Sequence, residues 1–80
     1  MNLERQALKG RQAERKQQLL ELAVEIKGLA RSIRSLLPMD VPVEDMNVSE
    51  AKALMDRMAD LDLERRHIKT EYDEAEKELV

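Results

Sequence analysis

The chain has 80 residues and a net charge of −3, with 39% charged residues, one aromatic residue and no cysteine. A chain this short forms one small domain, and the absence of Phe and Trp excludes a bulky globular core. The absence of cysteine excludes disulfides and thiolate metal sites. No apolar run approaches the ~20 residues of a membrane helix, so we expect a cytoplasmic protein without membrane contact.

Residues 3–37 lack proline and consist mostly of strong helix formers, which predicts a first helix of about that length. Its apolar residues recur at alternating steps of three and four, the heptad spacing that places a and d positions on one face. We call this stripe the seam of the helix, and we expect it to need a partner. The seam is clear in Leu19, Leu22, Ile26, Leu29, Ile33 and Leu36, and the same register extends back through a mostly polar part, Arg15, Gln12, Leu8 and Arg5.

A connector of residues 38–47 follows the first helix. Pro38 ends that helix, because proline lacks the amide donor and restrains the residue before it. Asn47 is predicted to be the N-cap of the second helix, with Glu50 completing a capping box. The apolar residues of the connector are candidates either to fold back over the helix ends or to bind a partner protein. They are Met39, Val41, Val43 and Met46.

The second helix is predicted to run from about residue 48 to residue 79, with a seam of the same spacing. This second seam is formed by Ala51, Leu54, Met58, Leu61, Arg65, Ile68, Tyr72, Ala75 and Leu79. The two seams match if facing residues have numbers that sum to 87, as Ile33 and Leu54 do. The sequence therefore predicts an all-α fold, a two-helix antiparallel coiled-coil hairpin of residues 1–80.

Two polar or aromatic seam residues carry specific predictions. Arg65 interrupts the second seam, and we expect its guanidinium to reach outward to Glu21 or Glu25 on the first helix. Tyr72 faces Arg15 in the proposed alignment, which predicts a cation–π or amphipathic layer at that level.

The e positions beside the seam are apolar near the connector, where a solitary hairpin would have polar residues. Small apolar residues at e widen the seam into the a, d and e face of a helical bundle. We therefore expect two hairpins to pack through this edge into a homodimeric four-helix bundle. The edge consists of Ala23, Ala30, Leu37, Val48 and Met55.

Charge is distributed unevenly between the two halves of the chain. Residues 1–37 carry eight Lys and Arg against four Glu, a balance of +4, whereas residues 38–80 carry six against thirteen acids, a balance of −7. A basic stretch in the first half is the candidate for phosphate contacts, but Glu4 and Glu14 interrupt it and no aromatic residue is interleaved. These features favour a solvated face over nucleic-acid binding. The stretch consists of Arg5, Lys9, Arg11, Arg15 and Lys16.

A short motif resembles part of a metal site. Glu64 and His67 form a Glu-x-x-His pair of the kind found in ferritin-like di-iron proteins, and Glu25 faces Glu64 across the seam. The chain has only one such pair, and His67 lies outside the seam, so a solvated histidine is the simpler interpretation. No nucleophile accompanies a positioned base. We expect neither a cofactor nor enzymatic activity.

These features favour a non-enzymatic interaction or structural protein, a helical hairpin that associates with itself and with another protein. Two alternatives remain open at this point. One is a nucleic-acid-binding accessory protein that uses the basic first helix. The other is a ferritin-like metal-binding assembly at Glu25, Glu64 and His67.

Overall fold

The computed structural model describes residues 2–79 and contains two long helices joined by a short connector. Helix α1 is Asn2–Leu36, a 3-10 turn occupies Val43–Asp45, and helix α2 is Val48–Leu79. The two helices pack side by side into a rod of 64 × 15 × 14 Å. The predicted all-α hairpin is confirmed. Neither helix, over the described residues, offers an apolar stretch of the length that crossing a bilayer requires.

Burial follows the heptad seams closely. Every seam residue from Leu8 to Leu36 and from Ala51 to Leu79 is buried or half-buried. Within residues 3–79, the most buried side chains all lie on a seam: Gln12, Leu22, Ala51 and Ala75. The apolar stripes of the two helices therefore cover each other, as the spacing of the sequence predicts.

Gln12 fixes the alignment of the helices far from the connector. Its Nε2 donates to the Tyr72 carbonyl oxygen and to Glu76 Oε1, both at 3.0 Å. Its Oε1 accepts a bond from Arg15 Nη1 at 3.1 Å. A buried polar residue whose partners lie on the other helix specifies register, because sliding the helices by one turn leaves it unpaired.

The cap of α2 differs in one respect from the predicted capping box. Asn47 Oδ1 accepts from the Glu50 backbone N–H at 3.2 Å, as an N-cap does. The Glu50 carboxylate, however, accepts from Asn47 Nδ2 at 2.8 Å rather than from its backbone N–H. That N–H instead donates to the carbonyl of Leu36 at 3.1 Å, so it is already occupied.

The expected partner of Arg65 was wrong. Its Nε and Nη2 donate to Asp62 Oδ1 at 3.0 and 2.8 Å, and not to Glu21 or Glu25 across the seam. Arg66 Nε pairs with the other oxygen of Asp62 at 2.9 Å. A carboxylate one turn back on the same helix is reached without extending the side chain into solvent. Asp62 therefore accepts hydrogen bonds from Arg65 and forms an ion pair with Arg66.

Arg15 does not make the expected cation–π contact with Tyr72, although both residues are half-buried on the seam, as the alternative of an amphipathic layer requires. Lys69 Nζ lies 5.4 Å from the centre of the Tyr72 ring, so the cation–π contact is made within α2. Arg15 instead bonds Gln12 and lies 3.7 Å from a carboxylate oxygen of Glu71. The amide oxygen of Gln12 and the carboxylate of Glu71 hold the Arg15 guanidinium more strongly than the face of an aromatic ring does.

Candidate functional site

One flank of the hairpin is apolar over the half nearest the connector. We call it the apolar edge, and it consists of the e positions of both helices. Ala23, Ala30 and Leu37 are half-buried by the hairpin itself, whereas Val48 and Met55 remain exposed. Because e positions of antiparallel helices adjoin each other, these residues form one continuous surface rather than scattered apolar points.

The apolar edge continues along α2 as a shallow groove. Its lining is mostly aliphatic and thioether side chains, with a single carboxylate at the end away from the connector. That carboxylate is already bound by two arginines of α2, so the groove presents no free charge there. The lining residues are Ile26, Met55, Met58, Ala59 and Asp62.

The opposite flank, made of the g positions, is charged. One cleft there is lined by Gln18, Glu21, Leu22, Glu25 and Glu64. A second cleft, further from the connector, is lined by Leu8, Arg11, Arg15, Glu71, Glu74, Ala75 and Glu78. Covering this flank would desolvate several carboxylates, whereas the groove along the apolar edge contains the single carboxylate of Asp62. The two flanks are therefore not equivalent as surfaces for association.

The connector turns only half of its apolar residues inward. Val41 and Met46 are half-buried, but Met39 is 94% exposed and Val43 is 75% exposed. The interpretation in which all four fold back over the helix ends therefore does not hold for Met39 and Val43. Pro42 is extended, with φ −59° and ψ 154°, and the 3-10 turn after it directs Val43 into solvent. Two apolar side chains thus project from the end of the rod.

The basic stretch near the N-terminus is partly engaged within the hairpin. Arg5 Nη2 donates to the Leu79 carbonyl oxygen at 2.9 Å, and Arg15 lies against Glu71. Both contacts join α1 to α2. Lys9, Arg11 and Lys16 are exposed. The five cations therefore do not form one surface devoted to phosphates.

The residues of the Glu-x-x-His motif are not brought together as a metal site. Glu25 and Glu64 border the same cleft, but His67 Nε2 faces Glu71 Oε1 at 3.1 Å and is largely exposed. Among residues 2–79, no group of three or more His, Cys, Asp and Glu side chains is close enough to hold a metal ion.

A basic stripe on the outward face of α1 was missed by the sequence analysis. Lys27, Arg31 and Arg34 occupy successive b and f positions, and all three are exposed. None of them forms an ion pair with any described residue. Leu20 and Val24 precede them on the same face and are exposed. The signal was the spacing of these residues, again alternating between three and four.

Comparison with known proteins gives no guide to these surfaces. No protein-family model, curated protein or solved structure matches the chain. The function proposed below is therefore inferred from the burial, contacts and charges of the hairpin itself.

Proposed function

We propose that this chain is a non-enzymatic protein-interaction hairpin, in which two copies pack through the apolar edge into a homodimeric four-helix bundle. The observation that carries the proposal is the contrast between the flanks. One side of the seam presents apolar residues to solvent near the connector, and the other side is lined by carboxylates and arginines. Association through the apolar edge removes apolar surface from water without desolvating those charges.

The size of the exposed surface supports this proposal. The hairpin exposes 6559 Å². A compact protein of the same mass exposes only about 5,000 Å². Two helices have one shared interface, so most side chains have solvent on at least one side. A second hairpin supplies the further interface that small helical proteins use to bury enough apolar area.

The distribution of residues along the edge favours a dimer with both connectors at the same end. In that arrangement α1 of one copy lies antiparallel to α2 of the other, and the apolar halves of the two edges coincide. If the two hairpins pointed in opposite directions and overlapped fully, the apolar half of each edge would face Lys16 and Lys69 of the other copy, which are the e positions further from the connector. Placing ammonium groups against an apolar surface is unfavourable, so the aligned dimer is the better solution.

An aligned dimer also gives the connector a role. It places two copies of Met39 and Val43 at one end of a rigid bundle. Flexible methionine side chains suit an adaptable contact with another protein. The acidic residues of the connector, Asp40, Glu44 and Asp45, surround these side chains, and residues 35–51 contain no Lys or Arg. A second protein that binds here is expected to present a basic rim around an apolar surface.

Sedimentation equilibrium of the full chain over a range of concentrations tests the dimer. Two substitutions on α2 form a matched pair, because both place a carboxylate at an exposed apolar position. Met55→Glu alters the apolar edge, where Met55 is 49% exposed, and Leu63→Glu alters the outward face, where Leu63 is 66% exposed. We expect a dimer for the wild type and for L63E, and a monomer for M55E.

A wild-type chain that is folded and monomeric at micromolar concentration would remove the proposal. Equal weakening by M55E and L63E would also contradict it, because it would show that the apolar edge has no special part in association. Circular dichroism of each variant establishes that the helices are retained.

A further inference from the structure

We propose that the outward face of α1 binds an acidic amphipathic helix of another protein. The surface, which we call the α1 stripe, consists of Leu20, Val24, Lys27, Arg31 and Arg34. This inference goes beyond self-association through the apolar edge and does not rest on it, because the stripe is exposed on a single hairpin.

The outer faces of the two helices differ in how some of their cations are paired. Along α2, several exposed cations lie beside a carboxylate one turn away, among them Lys52 with Asp56 at 3.0 Å and Lys69 with Asp73 at 2.9 Å. Along the α1 stripe, no carboxylate lies three or four residues from any of the three cations. The stripe therefore places three cations on one face without the intrahelical carboxylates that Lys52 and Lys69 have.

The cations of the stripe also repel one another. Lys27 and Arg31 are four residues apart, and Arg31 and Arg34 are three apart, so each pair shares one face of the helix. Like charges at these spacings destabilise a helix. Anionic groups of a partner are attracted to these cations and offset their mutual repulsion. Charge complementarity of this kind speeds association and selects the partner.

The apolar end of the stripe favours a polypeptide over a nucleic acid. Leu20 and Val24 border a shallow cleft together with Gln17, Glu21 and Glu25. The two carboxylates there would repel phosphates, and the stripe has no aromatic side chain on which a base could stack. An apolar side chain of a partner helix can instead contact Leu20 and Val24.

The length of the stripe defines the partner. From residue 20 to residue 34 it extends about 21 Å, or four helical turns. A matching helix places apolar residues over the first turn and carboxylates at steps of three and four over the following turns. Such a helix lies along α1 with both its apolar and its charged contacts satisfied.

The test uses the full chain and a designed probe. The probe is a fluorescent alanine-based helix of about 18 residues, with two leucines in one turn followed by three glutamates on the same face. A control peptide carries glutamine in place of the three glutamates. Binding is followed by fluorescence anisotropy at about 50 mM and about 300 mM salt, because screening must weaken a charge-dependent complex.

Two matched pairs of variants locate the binding surface. Arg31→Glu and Lys77→Glu reverse one exposed charge at the f position of α1 and of α2, respectively. Leu20→Ser and Leu63→Ser each remove one exposed leucine, from the stripe and from α2. We expect R31E to weaken binding of the acidic helix about 10-fold and L20S to weaken it measurably. K77E and L63S should bind the acidic helix with wild-type affinity, and the glutamine control peptide should not bind the wild type detectably.

Three outcomes would overturn the proposal. The first is no binding of the acidic helix at the lower salt concentration. The second is equal loss of affinity in R31E and K77E, which would indicate that the net charge of the chain, and not the α1 stripe, controls binding. The third is tighter binding of single-stranded DNA than of the acidic helix, with L20S having no effect on either, which would assign the stripe to phosphates.

Discussion

The backbone N–H of Asn47 donates to the carbonyl oxygen of Leu36 at 3.1 Å, which joins the last residue of α1 to the N-cap of α2. The carbonyls of the last helical turn otherwise lack partners, so this bond satisfies a group that the end of α1 leaves open. The side chain of the same asparagine caps α2 by accepting from the Glu50 N–H. One residue therefore closes the chain reversal and starts the second helix.

Replacing Asn47 with alanine is expected to lower the free energy of unfolding by about 1 kcal/mol, because the side-chain cap of α2 is lost. Ser49→Ala, two residues further along the exposed first turn, is the control and should change stability by less than about 0.5 kcal/mol. Urea unfolding followed by circular dichroism at one fixed chain concentration measures both. Equal stability of N47A and the wild type would show that the backbone bond alone defines the start of α2.

Two alanines of α2 provide a test of the seam. Ala51 is 1% exposed, whereas Ala53 faces solvent. Ala51→Leu adds three carbon atoms to a filled site and should destabilise the fold by about 1–3 kcal/mol. Ala53→Leu adds the same atoms on the outside and should change stability by less than about 0.5 kcal/mol. The same urea titration compares them, and a tolerated leucine at position 51 would contradict the packing described here.

The hairpin was predictable because its main determinant is periodic. Steps of three and four place Leu22, Ala51 and Ala75 on facing stripes, and packing the two helices side by side buries both stripes. The directions of Met39 and Val43 were not predictable, because they depend on a 3-10 turn that the apolar pattern does not encode. The partner of Arg65 was missed for a different reason. Aligning the two seams shows which residues face each other across the hairpin. It does not take account of carboxylates one turn away on the same helix, such as Asp62.

The phenol of Tyr72 offers a direct measurement of one local interaction. Hydrogen bonding to the Glu76 carboxylate is the largest cause that raises the pKa of Tyr72 above 10.0, and desolvation adds to it. Because Tyr72 is the single aromatic residue, near-ultraviolet absorbance reports its ionisation alone. Glu76→Gln is expected to lower the pKa of Tyr72 towards 10.0, since the amide lacks the charge that disfavours phenolate.

The sign of the accompanying stability change follows from the raised pKa of Tyr72. The folded state holds the phenolic proton more strongly, so this contribution to stability is complete below pH 10.0, the unfolded value. It is lost as the pH rises through the higher folded value. E76Q should therefore lose less stability than the wild type over that alkaline range. An unchanged pKa of Tyr72 in E76Q would contradict the contact with Glu76.

Asp62 provides the corresponding prediction in acid. The hydrogen bond from Arg65 lowers the pKa of Asp62 below 3.8, and the charge of Arg66 acts in the same direction. The stabilisation from these contacts is present above the unfolded pKa and is lost as the pH falls through the lower folded pKa. Asp62→Asn should be less stable than the wild type at neutral pH, and the difference should shrink below about pH 4. Urea unfolding of D62N and of the wild type across this pH range measures the difference.

The like-charged α1 stripe is expected to lower the stability of the free hairpin. Arg31→Glu replaces two repulsive contacts, with Lys27 and Arg34, by two attractive ones, and each contact of this kind contributes about 0.2–0.5 kcal/mol. R31E should therefore be more stable than the wild type by about 1–2 kcal/mol at low salt, with the difference disappearing near 1 M salt. Thermal unfolding at a fixed chain concentration measures the difference in stability.

If R31E gains stability but loses binding of the acidic helix, Arg31 has a binding role and not a structural one. Replacing a residue that supports folding would lower both the stability and the binding. A less stable R31E variant would show that Arg31 supports α1 in a way that the contacts of the hairpin do not reveal.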